Sequence, residues 1–304
     1  MKTLYFDCFS GVSGDMVIGA LIDAGADPNK LVEELKKLNI EDEYELTWKK
    51  VVKNGITSTK FDVLLDKHDH HHDHEHTHTH EHDHEHEHDH SHDHHHDHEH
   101  THTHDHDHEY ENVHVHTHDH QHDHEHTHDH DHHHHDHRSY KDIVRLIEEA
   151  DFSQQVKDTA LRIFKKIAEA EGLIHGVPLD NVHFHEVGAV DSIIDIIGTA
   201  ILIDQLEISV IKSSPIPVGT GKIRIDHGIY PVPAPATLEI LKGIPIEHSE
   251  VRAELATPTG AAIVSVLAEE FCSIPSMKVS SIGYGAGTKT FKDHPNVVRV
   301  IIGE

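Results

Sequence analysis

Residues 3–25 read TLYFDCFSGVSGDMVIGALIDAG, and the change of pattern within them decides the fold class. Thr3 to Phe6 is a short apolar run of strand type, with Asp7 at its C-terminal end. The loop CFSGVSGDM follows with glycines at 11 and 14, and Val17 to Ile22 continues as a helix that Gly25 stops. A strand passing through a small-residue loop into a helix predicts an α/β fold, with a mixed α+β arrangement as the alternative. Backbone amides in such a loop can hold a phosphate, although a plain strand–turn–helix connection has the same pattern. It is no Walker motif, because Gly-Lys-Ser/Thr is missing.

Working outward, Pro28 to Leu38 places Leu31, Leu35 and Leu38 on one helical face. Tyr44–Val52 and Ile56–Leu65 alternate apolar and polar residues around Asn54-Gly55, the pattern of a hairpin. Ser139 is a predicted cap for a helix beginning KDIVRLIEEA. Another helix is predicted from Ser153 to about Gly172, with Val156, Ala160, Ile163, Ile167 and Ala170 at helical spacing. Thr257 is a predicted N-cap with Pro258 at the first helical position, and NVVRVIIG from Asn296 to Gly303 is a closing strand.

Between the hairpin and Ser139 the composition changes completely. From His68 to His137 nearly every second residue is histidine, 37 of the chain's 43, interleaved with 21 Asp and Glu and no Lys or Arg. Imidazole suits Ni, Zn and Cu, and the carboxylates add oxygen ligands and offset the cation's charge. His74, His76, His78, His80, His82, His84, His86, His88 and His90 exemplify the alternation and are candidate metal ligands. With almost nothing apolar, the tract cannot offset the entropy of ordering and is expected to be disordered. The organisation expected is therefore 1–67 as the N-terminal part of the core, 68–137 as a metal-binding insertion, and 138–304 as the remainder.

A formal charge of −30 argues against nucleic acid or an anionic membrane as partner. No apolar run of about 20 residues is present, so no membrane span is expected. The N-terminus lacks a signal-peptide core, and Cys8 and Cys272 form no spaced motif, which fits a cytoplasmic location.

The second informative stretch is VHFHEVGAVDSIIDIIGTAILIDQL, residues 182–206. His183, His185 and Glu186 stand before an apolar helix, with Asp191 and Asp195 four apart on one of its faces. First-row metals accept that ligand set; the plainer alternative has the histidines flanking a strand end and Asp191 capping the helix. His227 precedes a Pro-rich turn and a helix, where a lone histidine is more often structural.

FDCFSGVSGDMVIGALIDAG, VHFHEVGAVDSIIDIIG, HGIYPVPAPATLEIL, ELATPTGAA and GYGAGTKTF…HPNVVRV, in this order, resemble the LarC-type nickel insertion proteins of lactate racemase cofactor synthesis. The matches run from Tyr5 to Val300, and many members carry a His-rich insertion at this place. The resemblance implies insertion of Ni(II) into pyridinium-3,5-bisthiocarboxylic acid mononucleotide to give a nickel-pincer nucleotide. It implies CTP with a divalent metal as co-substrate, and a lactate racemase-type apoenzyme as recipient. It also implies a C-terminal domain that binds the metal–CTP complex. The sequence ends at Glu304, so that domain is expected either on a separate chain or not at all.

Metallating a ring carbon needs an ion with open positions, a bound nucleotide and a base. Spacing then suggests His183, His185, Glu186, Asp191 and His227 as metal ligands, and Asp7 or Asp15 as base or second metal contact. Ser10, Gly11, Ser13 and Gly14 are the expected substrate-binding residues. A nickel store or metallochaperone without enzymatic activity is the alternative, and a metal-dependent hydrolase a third reading.

Overall fold

The computed structural model describes residues 1–65, 138–184, 189–225 and 227–304. The His-rich tract, with His74 to His90, and also His185, Glu186 and Asp226, lie outside the described residues.

The opening stretch folds as its pattern requires: β1 (Thr3–Asp7), a loop, and α1 (Gly14–Asp23). α2 (Pro28–Leu35) is one turn shorter than the Pro28–Leu38 expectation. Lys36–Leu38 tighten into a 3₁₀ turn that ends at Asn39 with φ 55°. β2 (Tyr44–Lys53) and β3 (Ile56–Leu65) pair antiparallel throughout, Tyr44 opposite Leu65 and Lys53 opposite Ile56. Their two-residue turn needs positive φ twice, and Asn54 (45°) and Gly55 (84°) supply it.

α3 (Tyr140–Glu149) starts in a reciprocal cap: Ser139 accepts from the Asp142 N–H, and the Asp142 carboxylate accepts from the Ser139 N–H. Arg138, just before it, pairs with Glu43 at 2.5 Å. α4 (Gln154–His175) runs past Gly172, because the left-handed residue that stops it is Gly176, φ 66°. α5 (Val190–Gln205) is capped by Ala189, so Asp191 sits inside the first turn and is not its cap.

Short strands follow: β4 (Val210–Ser213), β5 (Ile216–Pro217), β6 (Lys222–Ile225) and β7 (Gly228–Pro231). α6 (Pro235–Ile240) and β8 (Ile246–Glu247) lead to α7 (Pro258–Leu267), where Thr257 accepts from the Gly260 N–H at 3.2 Å. β9 (Glu270–Phe271), β10 (Val279–Ala286) and β11 (Val297–Gly303) close the described fold.

Seven strands form one mixed sheet in the order β2-β3-β10-β11-β1-β4-β9. β1 is parallel to β4 and antiparallel to β11, so the α/β expectation holds with a mixed sheet. Leu4, Phe6, Val298, Val300 and Ile302 join α1, α4, α5 and α7 in one apolar core. α1 lies unusually close to β10. A Cβ at Gly285 would collide with the Met16 carbonyl oxygen, and one at Gly283 with that of Ala20. The glycines of GYGAG thus set the height of α1 above the sheet, and that height fixes where its N-terminus opens.

Candidate metal and substrate site

That N-terminus faces a cleft of about 380 Å³. Ser13 caps α1, which supplies Gly14 and Asp15; Lys60 and Asp62 come from β3, Asp191 and Asp195 from α5, and Glu254, Thr257, Pro258 and Thr288 are also in its wall. Ser13 Oγ donates to the Asp15 carboxylate. Lys60 Nζ donates to Asp15 at 2.7 Å and lies 2.6 Å from Asp62. Burial works against the Lys60 ammonium, but the two carboxylates outweigh it and hold its pKa above the ordinary lysine value. One ammonium facing five carboxylates leaves an excess of negative charge that favours a cation.

Asp195 is the least compensated member. Its Oδ1 is shut off from solvent with no hydrogen-bond partner. Burial first, then the charges of Asp15 and Asp191, push its pKa well above the usual carboxylate value. Its side chain packs directly on the α1 entrance, where a Cβ added at Gly14 would lie 2.5 Å from Asp195 Cβ. Asp191 accepts from the Ser192 N–H at 2.7 Å; desolvation of its carboxyl, and to a smaller degree Asp15, raise its pKa too. The four-residue spacing read from the sequence does bring Asp191 and Asp195 to one cleft.

A second cleft of about 300 Å³ holds His227. The His227 ring centroid is 5.0 Å from that of His175, and His175 Nε2 is 3.2 Å from Glu171 Oε2. Glu171 is buried, and desolvation raises its pKa against the pull of both imidazoles. Ile174, Ile225 and Tyr230 make the rest of the wall largely apolar, and Pro258 lines both clefts.

The other expected site residues are dispersed. His183 is exposed and forms a β-bridge with Ser139. Asp7 accepts from Arg299 Nε at 2.8 Å and is not among the residues lining the acidic cleft. Ser10 is fully buried, hydrogen-bonded to His294 Nε2 at 2.8 Å and donating to the Pro295 carbonyl. The Gly11 N–H donates to the Cys8 carbonyl at 2.6 Å, and a Cβ there would collide with Leu255. Of the loop residues, Ser13 and Gly14 therefore reach the cleft while Ser10 and Gly11 serve packing. Among the described residues, no three His, Cys, Asp or Glu side chains are placed to close on one metal ion. No helix among them is long and apolar enough to cross a membrane.

Sequence reasoning missed Lys60, Asp62, Glu254, Glu171 and His175. Lys60 and Asp62 sit at alternating strand positions that read as a solvated face. Glu171 and His175 carried a legible signal, an i,i+4 acid–imidazole pair in the last turn of α4.

Comparison with known proteins gives a consistent result. The family described as nickel insertion protein matches residues 4–304. The pyridinium-3,5-bisthiocarboxylic acid mononucleotide nickel insertion protein of Geobacillus kaustophilus is 46% identical over 304 residues, covering 100% of this chain and 60% of that protein. The protein of the same description from Clostridium kluyveri is 43% identical, with 100% and 62% covered. That from Staphylococcus epidermidis is 39% identical, with 99% and 59% covered. The chain thus spans about three fifths of the length of these relatives. No solved structure matches.

Proposed function

The chain belongs to the nickel insertion protein family, and from that premise we propose that it inserts Ni(II) into pyridinium-3,5-bisthiocarboxylic acid mononucleotide to give a nickel-pincer nucleotide. The observation that carries the reading is the acidic cleft, above all the buried and unpartnered Oδ1 of Asp195. A carboxylate so placed gains from a cation or a proton, and metallation supplies both.

Nickel is the cargo. The reaction breaks a ring C–H bond and forms a C–Ni bond with the same electron pair, so one proton leaves. Asp15 and Asp191 supply oxygen donors to the incoming ion. Asp195, buried at the α1 entrance, accepts the proton in the ionised form that the arriving cation favours over its raised resting pKa. This moves the base away from Asp7 and Asp15, because Arg299 occupies the first and Ser13 with Lys60 the second. The His-rich insertion at 68–137 collects nickel. His183, which forms a β-bridge with Ser139 just past the tract, receives it, and His185 and Glu186 follow it in the chain. In this reading CTP with a divalent metal is the co-substrate, a lactate racemase-type apoenzyme is the recipient, and the reaction is cytoplasmic.

The test is an insertion assay with purified chain, nickel, CTP and precursor, read by activation of apo lactate racemase. It is run with and without an added C-terminal domain from a full-length relative. Activity in either arm that Asp195→Asn abolishes supports the proposal, and deleting 68–137 should leave that activity intact at high nickel. Silence in both arms, with nickel still bound by the chain, would sink it in favour of a metal store.

A further inference from the structure

A basic pocket adjoins the acidic cleft. It has a volume of about 350 Å³ and shares Lys60, Asp62 and Thr288 with that cleft. Its floor is one face of the β2–β3 hairpin. Side chains alternate along a strand, so Lys49, Val51 and Lys53 point to one side. Lys60 is the cross-strand partner of Lys49 and points the same way. Like charges directly opposite one another destabilise a hairpin unless something lies between them. Asp62, opposite Thr47, pairs with Lys60 and leaves Lys49 and Lys53 in excess.

The far wall is the GTKT loop that follows β10. Lys53 Nζ reaches the Thr288 carbonyl at 3.3 Å, the Lys289 carbonyl at 3.1 Å and Thr290 Oγ1 at 3.3 Å. Asn54 Nδ2 donates to the Lys292 carbonyl at 3.0 Å. The hairpin tip thereby holds the loop so that Thr288 and Thr290 line the same pocket as the three lysines. Burial, and then the neighbouring Lys60, lower the Lys53 pKa.

We propose that this lysine face binds a phosphate monoester, the 5′-phosphate of the mononucleotide substrate, with the Thr288 and Thr290 hydroxyls as further donors. A monoester carries about −1.5 to −2 charges at neutral pH, which matches the excess of Lys49 and Lys53 over the paired Lys60. The α1 N-terminus, where the Ser10–Gly14 loop had suggested phosphate, is ringed by carboxylates that repel an anion. Phosphate in the basic pocket and nickel in the acidic one place the substrate across Lys60. Only the identity of the rest of the ligand rests on the proposed reaction; the phosphate chemistry of the pocket stands apart from it.

The experiment is calorimetric titration of the full chain, without metal, with nicotinic acid mononucleotide and with the phosphate-free nicotinic acid riboside. The mononucleotide should bind at least tenfold tighter, with inorganic phosphate competing and added salt weakening it. Lys49→Gln and Lys53→Gln should each erase most of that advantage. Lys50→Gln, on the opposite face and paired with Asp23, should not. Lys53 also tethers the loop, so exposed Lys49 is the decisive variant, with unchanged circular dichroism as its control. Equal affinity for the two probes, no binding of either, or a Lys49→Gln protein that binds like wild type would each overturn the proposal. The insertion assay separates the two readings. If insertion proceeds with unchanged KM in Lys49→Gln, the phosphate site fails and the function stands. If phosphate binding depends on Lys49 but no precursor is metallated, the site stands and the substrate reading fails.

Discussion

Replacing Lys60 by methionine tests the electrostatics of the cleft most directly. Its side chain is 10% exposed and lies 2.7 Å from Asp15 and 2.6 Å from Asp62. At an effective dielectric near 20, each contact represents roughly 6 kcal/mol of gross attraction. Most of that is offset by the desolvation that Lys60 no longer suffers, and breaking a buried pair costs about 3–5 kcal/mol net. Asp15 and Asp62 are 23% and 33% exposed, so water compensates part of the loss, leaving about 2–3 kcal/mol. Urea unfolding at pH 7 should therefore show a midpoint lower by about 1 M. The sign follows from Lys60: the two carboxylates hold its folded pKa above the ordinary lysine value, so the stability it contributes is fully present at pH 7 and depends on their negative charge. The loss should shrink below pH 4. Manganese(II), which prefers carboxylate oxygen to the imidazoles of the tract, should restore stability. A ligand at a hundred times its Kd adds about 2.7 kcal/mol, enough to cover the deficit. An equal loss at pH 7 and pH 3.5, or manganese stabilising the variant no more than wild type, would refute the reasoning.

Asp195→Asn should raise thermal stability at neutral pH while removing insertion activity. The unfolded carboxyl ionises near 3.8 and the folded one well above it. In that window the folded state holds the extra proton, so wild-type stability falls as pH rises by up to ~1.4 kcal/mol per unit. Melting curves of the two proteins should converge near pH 3.5, and parallel curves would contradict this. Gly14→Ala should cost about 1–3 kcal/mol by overpacking, and less when combined with Asp195→Gly, which removes the Cβ that the new methyl would meet. Strict additivity in a double-mutant cycle would count against that contact. Ser139→Ala should lower stability by about 1 kcal/mol through loss of the reciprocal cap, with nickel insertion unchanged once the protein is folded.

The fold was most legible where local chemistry has few solutions. Asn54-Gly55 announced its hairpin, and Ser139, Ser153 and Thr257 announced their helices, because positive φ and unpaired first-turn amides restrict the residues that serve. Sheet order was not legible. β1 pairs with β11, almost the whole chain away, and no local pattern encodes that pairing. The site divides in the same way. Asp191 and Asp195 declared themselves as acids inside an apolar helix. Asp7 and Asp15 looked equivalent beside one loop, and only the fold shows Arg299 closing on one and Lys60 on the other. Lys60 was invisible as a lysine in an alternating strand, since its partners come from other elements.

The hairpin also decides what the His-rich insertion demands of the fold. Leu65 pairs with Tyr44, and Arg138 is clamped to Glu43, the next residue. Departure and return are thus fastened side by side. The entropy of closing a chain segment grows slowly with its length, each doubling adding only about 0.6 kcal/mol. Residues can therefore be added or removed between Leu65 and Arg138 with little cost to the folding of the core. Under the proposed reading, the capacity to collect nickel can change while the cleft that uses it stays as it is.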